Sequence, residues 1–281
     1  MRVEQLGDGT PELAIVGGIH GDEPSGVSAV ERLIEASPPV ERPVLLVIAN
    51  ERAIEAGERY LDADLNRVFP GDPDADAHEK RLAHELAERL QGTTALSMHA
   101  TQSHPEPFMV SDRIDPLVER LGRSLPVESV VDTGEFIQGR LFRAIRTIEI
   151  ESGLQGSDAA EAAAIRIAIA FLEELGALSG PVAADLRERF GVEPGPASAS
   201  VPVFRLTRSV PKSGTDDHLV SVNNFELVDA GERFATADGV PVVAEEEFYP
   251  VLLSAEGYDE IFGYAAEKIT ELSSEPPQSA E

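Results

Sequence analysis

From about residue 12 to 180, apolar runs of β character alternate with segments of helical periodicity. That alternation restricts the chain to α/β architectures with a largely parallel or mixed sheet. Leu13-Ala14-Ile15-Val16 reads as a buried strand, and residues 25–36 follow with Val27, Val30, Leu33 and Ile34 near helical spacing. Pro43 to Ala49 is a second β-type run. Residues 76–91 predict a charged amphipathic helix with Leu82, Leu86 and Leu90 on one stripe. Short strands are expected near 95–99, 107–111, 128–132 and 145–151, and the Ala-rich stretch 159–178 predicts a long helix. The character changes after Phe190. Residues 191–200 are a linker by composition, and short β-type runs separated by Gly, Pro and Asp turns (201–210, 218–228, 240–243, 249–253) predict a small all-β domain over 201–272. The expected organisation is a main α/β domain over 1–190, that linker, the β domain, and a disordered polar tail over 273–281.

Composition limits the chemistry. The chain contains no cysteine, so a transition-metal site has to be assembled from His, Asp and Glu. No apolar run is long enough to cross a bilayer and residues 1–5 lack a signal-peptide core, which places the expected location in the cytoplasm. Formal net charge is −28, and Lys80, Lys212 and Lys268 are the only lysines. Such a surface disfavours nucleic acid and anionic membranes as partners, and it is compatible with a homo-oligomer. The acids are dispersed rather than clustered, as on a surface adapted to high salt, where a Debye length of about 3 Å in molar salt screens self-repulsion.

Three segments carry candidate chemistry. Gly17-Gly18-Ile19-His20-Gly21-Asp22-Glu23 places an imidazole and a carboxylate three residues apart, where an apolar strand breaks into glycine. Zinc accepts both ligand types, and a catalytic site needs three ligands plus an open position. Among the other histidines, His78 and His84 fall in the charged helix, whereas His99 closes the run 94–98. Ligands bind outside the carboxyl ends of strands in open α/β sheets, so His20 and His99 can converge there. The stretch 59–71 supplies Arg59, Asn66 and Arg67. These suit a carboxylate-bearing substrate, or equally a salt-bridged loop with Arg67 paired to Asp62 or Asp64. In Thr147-Ile148-Glu149-Ile150-Glu151, strand alternation turns both glutamates to one face.

In this order, GGIHGDEPSG (17–26), RYLDADLNRVFPG (59–71), SMHA (97–100) and IESGLQGSDAA (150–160) resemble the succinylglutamate desuccinylase/aspartoacylase family, whose fold is similar to the zinc carboxypeptidases. The resemblance implies a mixed sheet flanked by helices with a small C-terminal all-β domain. It implies that His20, Glu23 and His99 hold Zn2+, and that Glu151, at the family's Glu-x-Gly position, activates water, with Glu149 as the alternative. By the same carry-over Arg59 polarises the scissile carbonyl, while Asn66 and Arg67 bind a substrate carboxylate. A further arginine precedes the glutamate, either Arg140 or Arg143. Tyr249 and Tyr258 are the tyrosines that the C-terminal segment offers to the pocket. The sequence departs from the family at Ser97, where relatives often carry Asp two residues before the second histidine ligand. The activity implied is zinc-dependent hydrolysis of a small anionic N-acyl amino acid. A peptide-cleaving zinc carboxypeptidase and a non-catalytic metal or acyl-amino-acid binding protein are the alternatives.

Overall fold

The computed structural model describes residues 1–136, 139–195, 200–212 and 217–273. Strands β1 (Arg2–Leu6), β2 (Leu13–Gly17) and β3 (Val44–Ile48) enclose helix α1 (Pro24–Ala36); α2 (Glu51–Ala56) and α3 (His78–Arg89) precede β4 (Thr94–Thr101). Then come β5 (Phe108–Ser111), α4 (Pro116–Ser124), β6 (Val130–Asp132), β7 (Arg146–Leu154), α5 (Asp158–Glu174) and α6 (Gly180–Phe190). The remainder is all β: β8 (Ser200–Pro211), β9 (His218–Val220), β10 (Arg233–Ala237), β11 (Val240–Val243), β12 (Tyr249–Val251) and β13 (Ile261–Ser273).

A ten-stranded mixed sheet in the order β1-β3-β2-β4-β7-β5-β6-β8-β13-β12 runs through the molecule, and β11-β10-β9 form a small antiparallel sheet. The centre, β3-β2-β4-β7, is parallel. Side chains alternate across it as the pleat requires. Leu13, Ile15, Leu46, Ile148 and Ile150 enter a core shared with Leu33 of α1 and Ile165 and Leu172 of α5. Ala14, Val16, Leu45 and Val47 face the other way, onto Leu82, Leu86 and Leu90 at the end of α3. Both faces are covered, which is why these strands read as unbroken apolar runs rather than alternating ones.

The C-terminal segment is all-β, as its turn-rich composition predicts, yet most of it does not form a sheet apart. β8 pairs in parallel with β6 (Val130↔Val203, Asp132↔Arg205) and carries β13 and β12 on its far side. Elements absent from the sequence reading are short or weakly periodic. α4 starts at Asp115, whose carboxylate accepts from the amides of Leu117 and Val118, with Pro116 in the first turn. α6 is bounded by Pro181 near its start and Gly191 at φ 66° at its end. The helix expected over 159–178 stops at Glu174, and Gly176 at φ 71° turns the chain so that Ala177 and Leu178 pack into the core. The β-type run expected over 218–228 is a strand only at 218–220. The predicted tail falls outside the described residues from 274 on, as do residues 196–199 of the predicted linker.

Candidate metal and catalytic site

His20 lies just beyond the carboxyl end of β2. Gly18 there adopts φ 71°, and a Cβ on Gly21 would stand 2.2 Å from the backbone of Ala53. Only glycine permits this path, which returns the chain to α1 within a few residues. Glu23 occupies the N-cap position of α1, but its side chain makes no cap hydrogen bond. It turns into the site instead. His20 Nδ1 lies 2.7 Å from Glu23 Oε1, and His99 Nδ1 lies 3.0 Å from Glu23 Oε2. One ligand atom from each of His20, Glu23 and His99 falls within 4.8 Å of the other two, and all three residues are buried.

The outer nitrogens of both imidazoles are engaged. His20 Nε2 is 3.0 Å from Asp64 Oδ1, and His99 Nε2 is 3.2 Å from Ser97 Oγ. With Nε2 held from outside, each ring turns Nδ1 inward onto the Glu23 carboxylate, the side from which a metal ion would be bound. Ser97 thus supplies by its hydroxyl what relatives often supply with a carboxylate. Two imidazoles and one carboxylate are a donor set that Zn2+ accepts, so the residues present fit the ion.

Electrostatics hold the cluster together. Burial alone lowers the affinity of His20 for a proton, but Glu23 and Asp64 outweigh it and raise its pKa to about 9. Glu23 is driven up by burial and down further by His20 and His99, ending well below the usual carboxylate range. Arg59 Nη1 donates to Glu23 Oε1 at 2.8 Å and approaches Asp64 at 3.7 Å. Asp64 therefore pairs with His20 and Arg59. Its position in the Asp-Leu-Asn-Arg motif was the available signal.

β7 brings in the two glutamates. It lies parallel to β4 with Ser97 opposite Glu149 and His99 opposite Glu151, so all four side chains share one face. Their environments differ. Glu149 Oε2 accepts from Arg140 Nη1 at 2.7 Å and Glu149 Oε1 accepts from Asn66 Nδ2 at 3.2 Å, in a pair that is 7% and 1% exposed. Glu151 is also buried, but its Oε2 has no hydrogen-bond partner among the described residues. Burial, opposed by His99 and reinforced by Glu23 and Glu149, pushes its pKa up to about 7.

Arg59, Asn66, Arg67, Arg140, Glu151 and Tyr258 line one cavity with the His-Glu-His cluster. Arg143 is exposed and stands outside it. Tyr249 packs against Phe204, away from the cavity. Of the arginines in the lining, Arg67 alone has no carboxylate partner among the described residues; its Nη1 donates to the backbone oxygen of Asn66 at 2.8 Å. His104 is held by Glu128 and the ring of Phe225, remote from this cluster.

The buried pair makes one expectation concrete. Glu149→Gln strands the Arg140 guanidinium, and breaking a buried pair from one side costs about 3–5 kcal/mol. Urea unfolding should register that loss, and an unchanged midpoint would contradict the structural role of Glu149.

A buried His-x-x-Glu pair and a strand-end histidine, set over the carboxyl edge of a mixed sheet, form a cluster able to hold a single metal ion. Comparison shows what the chain resembles. Residues 9–105 match the succinylglutamate desuccinylase/aspartoacylase catalytic domain. The chain is 37% identical over 86 residues to the N-alpha-acetyl-L-2,4-diaminobutyric acid deacetylase of Halomonas elongata, covering 28% of this chain and 25% of that protein. The first relatives are matched over 20–32% of their own length. Solved structures extend the likeness to the whole fold. The succinylglutamate desuccinylase/aspartoacylase of Rhodobacter sphaeroides superposes with a TM-score of 0.71 at 20% identity, over 92% of this chain and 86% of that one. Murine aminoacylase 3 does so with a TM-score of 0.71 at 21% identity, over 95% and 99%.

Proposed function

We propose that this chain is a zinc-dependent amide hydrolase that removes the acyl group from a small N-acyl amino acid. The observation that carries this reading is Glu151, a buried carboxylate with an unpartnered oxygen beside the His-Glu-His cluster. His20, Glu23 and His99 would hold the ion. A bound Zn2+ supplies Lewis acidity and lowers the pKa of water. Glu151, whose carboxyl is pushed up to about 7, takes the proton of the attacking water and delivers it to the leaving amine. Arg59 places a guanidinium beside Glu23, where charge developing on the carbonyl oxygen can be balanced. Arg67, unpaired with any carboxylate among the described residues, takes the substrate carboxylate, with Asn66 beside it. Arg140 rather than Arg143 adds positive charge to the cavity wall.

Size selection follows from the C-terminal segment. Leu252, Ser254, Gly257 and Tyr258 line the same cavity as the candidate ligands, so this segment supplies part of the wall that a longer peptide would have to pass. With the metal-loaded protein, N-acetyl and N-succinyl amino acids should exceed a tetrapeptide in kcat/KM by at least about 10-fold. The reverse order would assign a carboxypeptidase. Stoichiometric zinc without hydrolysis across the panel would assign a binding protein. Repeating the panel from low to molar salt tests the acidic surface, with highest activity expected at high salt.

A further inference from the structure

Glu79 is a completely buried carboxylate that this chemistry does not use. It stands in the first turn of α3 and no described residue forms an ion pair with it. Four donors satisfy its two oxygens. Oε1 accepts from the Leu61 amide at 2.8 Å and from Asn50 Nδ2 at 3.2 Å. Oε2 accepts from the amides of Asp62 at 3.0 Å and Ala63 at 3.1 Å. The clamp is reciprocal, because the Asp62 carboxylate accepts from the amide of His78, the residue before Glu79, at 2.7 Å.

The three clamped amides lie between Arg59 and the Asp64-Asn66-Arg67 group. We propose that Glu79 is a positioning residue: by gripping the backbone at 61–63 it sets where Arg59, Asp64, Asn66 and Arg67 meet the cavity. The inference rests on the hydrolase reading for its kinetic consequence, though not for the clamp itself. A buried unpaired anion is costly unless fixed dipoles solvate it. Here backbone N–H groups do so, and although burial raises the pKa of Glu79, these bonds bring it below the ordinary value. Leu61 is 36% exposed. Amides released from Glu79 can therefore turn toward water, so the loop can shift while the core stays folded. A shift of about 1 Å in groups that orient substrate costs on the order of 10²-fold in rate.

The test uses the full, metal-loaded chain with Glu79→Gln, Arg67→Ala and the double variant. Hydrogen exchange over residues 60–67 should quicken by at least about 10-fold in Glu79→Gln, while residues 13–17 of β2 exchange as in the parent. On an N-acetyl amino acid, the loss in the double variant should fall short of the product of the two single losses, because part of the Glu79→Gln effect runs through the placement of Arg67. Unaltered exchange over 60–67, or losses that simply multiply, would overturn the proposal. Should Glu79→Gln fail to fold, Glu79→Asp decides it, since the shortened carboxylate should give the same local quickening to a lesser degree. If the parent hydrolyses no acyl amino acid, the hydrolase reading fails and the exchange result still judges the clamp.

Discussion

Glu151→Gln should bind zinc with the parent's stoichiometry and lose turnover by about 10²- to 10⁴-fold, the range expected when a general base is removed. The reason is local. Glu151 Oε2 meets no donor among the described residues, while the neighbouring glutamate is spent on Arg140 and Asn66. Steady-state kinetics with metal analysis on the same sample gives the result; a variant within 10-fold of the parent would remove Glu151 from the role. A second measurement needs no substrate. In the metal-free protein the carboxyl is raised from 4.5 to about 7. Between those values the folded state keeps a proton that the unfolded chain releases. Stability linked to this group is therefore complete below pH 4.5, declines above it, and is lost as pH passes 7. Glutamine carries no such dependence. Glu151→Gln should gain on the parent as pH rises from 5 to 8, by at most about 3 kcal/mol at 1.36 kcal/mol per unit. Urea unfolding at both pH values checks the sign.

Glu23→Ala should be more damaging still, since one carboxylate organises the whole centre. His20, His99, Arg59 and the Ala100 amide all contact it, at 2.7–3.2 Å. Its removal takes away one of three ligands and leaves buried donors without their counter-charge. Zinc retained after dialysis should fall from about one ion per chain to under about 0.1, because two imidazoles do not complete a site of this type. The fold should also lose stability, because His20, His99 and Arg59 each lose an acceptor, although Asp64 still faces His20 and Arg59. Glu23→Gln, which keeps the volume, should lose zinc similarly with a smaller stability penalty. Full zinc retention in either variant would move the ion elsewhere.

The parts of the site readable along the chain were those tied to local rules. A glycine-flanked His-x-x-Glu at a strand end, and two glutamates alternating with Ile148 and Ile150, depend only on turn chemistry and pleat. The helical stripe Leu82-Leu86-Leu90 was equally legible, and its face packs as the spacing requires. Where geometry ran between distant segments, the chain was silent. Spacing could not choose between Arg140 and Arg143, because the choice depends on Glu149 lying opposite Ser97 across β4 and β7. Nor could it assign Asp64 to His20, a contact 44 residues apart, over a pairing with Arg67. β13 pairs with β8 through three register irregularities, which blur its strand signature.

Residue type and local periodicity were enough to define an α/β chain with His, Glu and Arg gathered near strand ends. They also excluded any thiolate metal site, since a chain without cysteine cannot make one. The role of each charge was decided only in three dimensions. Glu149 and Glu151 have the same chemistry and the same face, yet one is neutralised by Arg140 and the other is left with an oxygen unpartnered among the described residues and a raised pKa. Likewise, three arginines line the cavity, and only the packing around them leaves Arg67 without a carboxylate partner among the described residues. Proton affinity and ion pairing depend on burial and on nearby groups, and those groups come from segments as far apart in the chain as Glu23 and Glu151.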